Sequence, residues 1–331
     1  MQKSKLEDIY SLSSKLTCKE MVSKFKDFEK NWMQDRLEYG KYLDLFTGKV
    51  NSDYVTMRDK CPLCFSKDFR FLFIKEGFDH MICNSCFLIF TLQVLDTNKI
   101  SYMSVGEEGD AYGDYKEDKT VSELDKKKYE MVFEELEKYS SIKKIFDIGS
   151  SAGTFLDWAS NKYHIAGHEY HDQLRNRCIA KGHKMFNENL STIKFDDEFD
   201  LITMWDYLDH VTNPHESIKN LTNYLKKGGL FFFAINNRDS LSVRVMHQDS
   251  TIFSGPHHTM HYGINQLKLL MKDFEFLYAE SYVSELNWIS NWLNFKNPAF
   301  GDAKLMYELF DPNKICELGL GFKVNAIFRK L

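Results

Sequence analysis

Ile145-Phe146-Asp147-Ile148-Gly149-Ser150-Ser151-Ala152-Gly153-Thr154-Phe155-Leu156 is an apolar run that enters a turn of small residues and leaves it as the start of a helix. Strand, nucleotide-binding loop and helix follow from that order. Gly149 supplies a positive φ or a close backbone approach, and Gly153 lets the new helix sit tight against strand and ligand. A second short run, His164 to Gly167, leads into His168 and Glu169. It sets a carboxylate about twenty residues after the first strand, where a group that binds ribose hydroxyls is expected.

Two further segments extend the pattern. Phe199 to Trp205 reads as a buried strand running into the acidic, histidine-bearing Asp206-Tyr207-Leu208-Asp209-His210-Val211, and Lys227-Gly228-Gly229 opens another strand that ends at Asn236-Asn237. In this order the segments resemble the class I S-adenosylmethionine-dependent methyltransferases, whose usual signatures are D-x-G-x-G-x-G, G-x-E, F-D-x-V-x-x-x-x-x-x-E-H and K-x-G-G. The resemblance covers roughly residues 144–276. Ser151 departs from it, standing where the middle glycine of the first motif is usual, and is still small enough for the loop. A nicotinamide dehydrogenase also uses a glycine turn and a downstream acid, but its G-x-G-x-x-G is absent. The expected fold is α/β, a Rossmann-like methyltransferase with a mostly parallel seven-stranded sheet covered on both faces.

The 331 residues hold two domains or one large domain with an appendage, and a 43% apolar share supplies ample core. A net charge of −5 argues against a nucleic-acid surface. No apolar run approaches the roughly 18 residues of a membrane span, and the N-terminus leads into no signal-peptide core, so a cytoplasmic protein is expected. Residues 1–57 carry apolar positions at helical spacing (Met21, Phe25, Phe28, Trp32) and read as an amphipathic helical segment.

Four of the seven cysteines form two C-x-x-C pairs, Cys61/Cys64 and Cys83/Cys86, with 18 residues between them. That spacing belongs to two-knuckle zinc sites, in which four thiolates close a tetrahedron around Zn²⁺ and leave no position for water. A structural zinc ribbon is expected over residues 58–92. His80, nearby, reads as a surface or loop residue because four sulfurs complete the shell. Residues 93–122 are polar and carry Tyr112 and Tyr115, candidates for a clamp in a lid or linker, and 123–331 form the methyltransferase domain.

The resemblance implies site roles. Asp147, Gly149, Ser151 and Gly153 would shape the loop for the cofactor, Glu169 would bind its ribose, and Tyr170 could lie along the adenine. Asn187 is one of three residues placed to meet the adenine amine. Trp205 and Asp206 sit at the carboxyl edge where open α/β sheets bind ligands. Pro256 to Tyr262 resembles the H-x-x-x-F/Y-S loop of the zinc-ribbon sugar methyltransferases of antibiotic and surface-polysaccharide pathways. Aligned on Tyr262, His258 takes the base position, with His257 and His261 as alternatives. His210, Asn236 and Asn237 are candidates for meeting the acceptor. The implied acceptor is a small polar molecule containing a sugar. An RNA methyltransferase that grips its substrate with the ribbon, or a catalytically silent scaffold, stand as alternatives.

Overall fold

The computed structural model describes residues 40–96, 114, 116–282, 286–293, 306 and 308–331. The helices expected before residue 40, Tyr112, Tyr115 and most of the segment between 93 and 122 lie outside the described residues.

The N-terminal part contributes β1 (Val55–Met57), β2 (Phe69–Lys75), β3 (Phe78–Cys83), β4 (Ile89–Thr91) and β5 (Gln93–Leu95). Alternating helices and strands follow: α1 (Lys119–Leu136), β6 (Lys144–Ile148), α2 (Thr154–Ala159), β7 (His164–His168), α3 (Asp172–Ala180), β8 (Lys184–Phe186) and β9 (Phe199–Trp205). The chain continues through α4 (Pro214–Thr222), β10 (Leu225–Asn236), α5 (Leu241–Met246), β11 (Met260–His261) and α6 (Ile264–Leu270). It ends with β12 (Phe274–Tyr282), α7 (Leu286–Leu293), α8 (Pro312–Glu317) and β13 (Lys323–Lys330).

Seven strands form one sheet in the order β12-β13-β10-β9-β6-β7-β8. Its neighbours are parallel except at β13, which runs antiparallel to both β10 and β12. This is the Rossmann-like methyltransferase fold. Leu230 to Ile235 is apolar without a break because both faces are covered. Leu230, Phe232 and Ala234 pack with Tyr129, Phe133 and Leu136 of α1, whereas Phe231, Phe233 and Ile235 join the opposite core beside Leu221 and Leu267. The chain leaves β6 in one direction to β7 and β8, then returns to the other side at β9. Such a reversal opens a crevice at the carboxyl ends of the strands, between β6 and β9.

The cysteine-bearing part is not a separate lobe. Cys61, Leu63, Cys83, Leu88 and Phe90 belong to the same apolar core as Phe146, Ile202 and Phe233. Its sheet has the order β11-β4-β3-β2, so one of its four strands comes from the far end of the chain. Met260 pairs with Phe90 and His261 with Ile89, and Thr91 N donates to Thr259 O at 3.0 Å. Side chains reinforce the seam: Gln266 Nε2 donates to Cys86 O at 2.8 Å, and His215 Nε2 lies 2.7 Å from Leu63 O. β1 pairs with β5, which brings residues 55–57 and 93–95 together beside this sheet.

A shared core predicts a shared transition. Phe90→Ala removes a fully buried ring and should cost ~3–5 kcal/mol. Calorimetry should show one unfolding transition moved to lower temperature; a separate early transition with the main one unchanged would contradict the shared core.

Candidate functional site

The loop after β6 takes a shape that few residues tolerate. Gly149 and Gly153 have φ of 76° and 83°, and Ser151 between them has φ of 50°. A Cβ on Gly149 would stand 2.2 Å from the Tyr207 ring, and one on Gly153 would stand 2.9 Å from Cys178 Sγ. Both positions therefore need glycine for conformation and for space. Ser151 holds the left-handed conformation at some strain, and two bonds brace it. Its N–H donates to Glu169 Oε2 at 2.9 Å, and its carbonyl faces Cys178 Sγ at 3.2 Å. Glu169 Oε1 accepts from His171 N at 2.9 Å. Glu169 thus ties the loops after β6 and β7 together. A carboxylate has about four acceptor sites, so two remain for a ligand. Burial raises its pKa, against the pull of these backbone donors.

Asp147 lies behind the loop and is buried. Its Oδ1 accepts from Thr203 Oγ1 at 2.7 Å, which locks β6 to β9 at the crevice. Burial pushes its carboxyl up to about 7. Tyr170 stands exposed at the rim with its ring 4.6 Å from that of His168, open to a flat ligand. Asn187 is exposed on the same rim. Trp205 differs from expectation: it turns toward α1, packing against Tyr129 and Phe232 at ring distances of 5.0 and 4.5 Å, with Lys128 Nζ 5.1 Å from its ring centre.

A polar cluster occupies the edge beyond β9 and β10. Lys323 Nζ donates to Asp206 Oδ1 and to Asn236 Oδ1, both at 2.7 Å, and Asn236 Nδ2 donates to Asp209 Oδ2 at 2.7 Å. Burial raises the Asp206 pKa, but Lys323, Lys128 and Lys116 outweigh it and hold the carboxyl well below its usual range. Lys323 was not marked in the sequence. It reaches the site because β13 is antiparallel and begins at the edge where the parallel strands end, opposite Asn236.

The histidines separate into two environments. His258 is half-buried, and its Nδ1 sits 2.8 Å from Ile252 O. The carbonyl can only accept, so Nδ1 carries the proton and Nε2 of the neutral ring keeps its lone pair. The His258 and His210 rings meet edge to face at 4.8 Å, and His257 is half-buried beside them. His261 is buried and stacks on His80 at 5.5 Å. His80 corrects its sequence reading: it is fully buried on β3, stacked on Phe73 at 4.7 Å. Among the described residues, both ring nitrogens of His261, Nε2 of His80 and Oγ1 of Thr259 are buried without a hydrogen-bond partner. Asn237 also departs from expectation. Its Nδ2 donates to the carbonyls of Gly319 and Gly321 at 3.0 and 2.7 Å, and its Oδ1 accepts from Asp239 N, so the side chain closes a loop and is not presented to the crevice.

The four sulfurs of Cys61, Cys64, Cys83 and Cys86 lie within 4.8 Å of one another. Sulfurs bound tetrahedrally at ~2.3 Å from zinc would be ~3.8 Å apart, and the Cys61–Cys86 and Cys64–Cys83 distances are 3.6 and 3.4 Å. The two knuckles repeat one design: Phe65 N and Phe87 N donate to Cys61 O and Cys83 O, and both phenylalanines have φ near 60°. The donor set fits a closed, four-coordinate ion.

The raised Asp147 pKa has a sign that can be checked. An acid whose folded pKa is about 7, against ~3.9 unfolded, contributes stability that is full below about pH 4 and lost as pH rises through about 7. Asp147→Asn has no proton to lose, so its melting temperature should decline less than wild type over that window. Parallel curves for the two cofactor-free proteins would refute this.

Residues 122–280 match the family model described as a methyltransferase domain. A segment of 109 residues is 29% identical to the ubiquinone biosynthesis O-methyltransferase of Glaesserella parasuis serovar 5 (strain SH0165), covering 29% of this chain and 46% of that enzyme. The chain thus spans about half the length of that curated relative. Among solved structures, an S-adenosylmethionine-dependent methyltransferase from Clostridium acetobutylicum ATCC 824 is similar with 11% identity and a TM-score of 0.40, over 71% of this chain and 96% of the other. The N-methyltransferase NodS from Bradyrhizobium japonicum WM9, in complex with S-adenosyl-L-homocysteine, is similar with 14% identity and a TM-score of 0.39, over 61% and 86%. Residues 122–280, which carry the glycine loop and the parallel strands of this sheet, are thus similar to a methyltransferase domain.

Proposed function

We propose that the chain transfers a methyl group from S-adenosylmethionine to a hydroxyl or an acidic carbon of a small polar acceptor, a sugar or nucleotide-linked sugar, with His258 as the base. The observation that carries this reading is His258 itself: its Nδ1 is tied to Ile252 O, which leaves the lone pair on Nε2, and the next residue, Thr259, is held through its N–H to the Asp209 carbonyl in the turn that follows β9 at the carboxyl edge.

The cofactor would supply a methyl group on a sulfonium, open to in-line displacement. Gly149, Ser151 and Gly153 would let the backbone approach it, Glu169 would accept from its ribose hydroxyls with the two acceptor sites left over, and Tyr170 would cover its adenine. The chain's main task is then alignment of the acceptor atom. His258 Nε2 would take the proton that the acceptor atom gives up on being methylated. The net charge of −5 supports a small molecule over RNA.

Product mass spectrometry with a panel of nucleotide sugars and labelled cofactor tests the acceptor class. Glu169→Ala should weaken S-adenosylmethionine binding by ~1–3 kcal/mol, whereas His258→Asn should leave binding intact and lower turnover by ~10²–10⁴-fold. Equal affinity in the first variant would remove the ribose role, and wild-type turnover in the second would remove the base.

For the four cysteines we propose a structural zinc ion. Elemental analysis should find one zinc per chain, and Cys83→Ser should lower both folded yield and melting temperature, since metal binding is coupled to folding. Metal-free protein of unchanged stability would exclude a structural ion.

A further inference from the structure

Asp209 is buried, at 2% exposure, in the turn that follows β9. Two of its contacts and one unpaired oxygen define its environment. Its main-chain carbonyl accepts from Thr259 N at 3.0 Å, which anchors the residue next to His258. Its Oδ2 accepts from Asn236 Nδ2 at 2.7 Å, and its Oδ1 is buried without a hydrogen-bond partner among the described residues. The amide of Asn236 has only one orientation available, since an ammonium donates and never accepts: Lys323 takes its oxygen, so its NH₂ must face Asp209. The carboxylate is therefore held from one side by a donor whose own direction is set by a lysine. An unmet buried acceptor is costly, and a charge forming on a neighbouring group would offset that cost.

We propose that Asp209 is the positioning residue of His258: its main chain anchors the histidine segment, and its carboxylate, braced by Asn236 and Lys323, stabilises the charge that forms on the imidazole.

The groups around His258 are Asp209, the imidazoles of His257, His210 and His261, and the ammonium of Lys323. Burial lowers the His258 pKa, His257 and Lys323 lower it further, and Asp209 is the strongest influence raising it. The relation is mutual, for His258 is the strongest influence favouring the ionised form of Asp209 against its burial. A proton arriving at Nε2 thus meets cations and other imidazoles on several sides and one compensating acid. The step balances simply: the acceptor's oxygen or carbon bonds the methyl carbon, the sulfonium bond breaks, and the acceptor proton rests on His258 with Asp209 as its counter-charge.

The kinetic part of this inference rests on His258 acting as base, but the pairing does not. The test is a histidine-labelled NMR titration of the full zinc-loaded chain, with the His258 signal assigned through His258→Asn. Asp209→Asn, close in shape to the native residue, should move the His258 midpoint to lower pH, because the interaction that raises it is lost. The acidic limb of the rate profile should move the same way, and turnover should fall roughly 10- to 100-fold, less than the 10²–10⁴ of removing the base, with S-adenosylmethionine affinity unchanged. Asn236→Ser provides a variant that leaves the carboxylate in place. It should shift the midpoint in the same direction by a smaller amount, since losing that hydrogen bond makes Asp209 harder to ionise. Midpoints equal to wild type in both variants would overturn the proposal. A lowered midpoint in Asp209→Asn together with full turnover in His258→Asn would uphold the pairing and reject His258 as base.

Discussion

The short pairing of β11 with β4 is the constraint on which the arrangement depends. Two residues, Met260 and His261, join the cysteine-bearing sheet to the segment that carries the histidines. Through that ladder the position of His258 is referred to a sheet anchored by the cysteine knuckles, and through Thr259 N to the turn after β9. A loop as rich in histidine as residues 257–261 would have no reason to hold one geometry by its own contacts, since local side-chain bonds in such a segment are few. Pairing at one end and main-chain capture at the other remove that freedom, and the fully buried Phe90 and Met260 beneath the ladder make separation costly in apolar surface.

The edge of the sheet concentrates polar groups that the core excludes. Asp147, Asp206 and Asp209 lie near or beyond the carboxyl ends of β6 and β9 and are largely enclosed by protein, so each carboxyl meets a low-dielectric surrounding and must find a specific partner or a proton. The three find different answers. Asp147 takes a hydroxyl from Thr203 and titrates near neutrality, Asp206 takes Lys323, and Asp209 takes Asn236 and the field of His258. Three carboxyls of one type are thereby shifted differently, burial raising Asp147 and Asp209 while Lys323, Lys128 and Lys116 hold Asp206 down, which suits a division of structural and chemical roles among them.

Much of the fold was legible because it depends on local rules. The unbroken apolar run before Gly149 marks a strand covered on both faces, Gly149 and Gly153 mark backbone that no side chain permits, and Glu169 stands at the end of the second strand as its spacing required. The cysteine knuckles were equally readable, since two-residue spacing within each pair is a local geometric condition. Ser151 shows the limit of such reading: the sequence marks a departure from glycine, but only the structure shows a left-handed serine whose N–H is held by Glu169.

What the sequence determined by itself is the set of elements and the chemistry available to them: an α/β sheet with a glycine loop, an acid after its second strand, four thiols in two knuckles and a cluster of histidines. What only the tertiary structure decided is which of those groups meet. Lys323 reaches Asp206 because the last strand runs antiparallel, and Asn237, adjacent to the equally polar Asn236, closes a loop because side chains alternate along a strand and the next residue turns away. His80 and His261 are far apart in the chain and stacked in the fold. Contacts of that kind depend on strand direction and on packing between distant segments, and neither is encoded in the spacing of neighbouring residues.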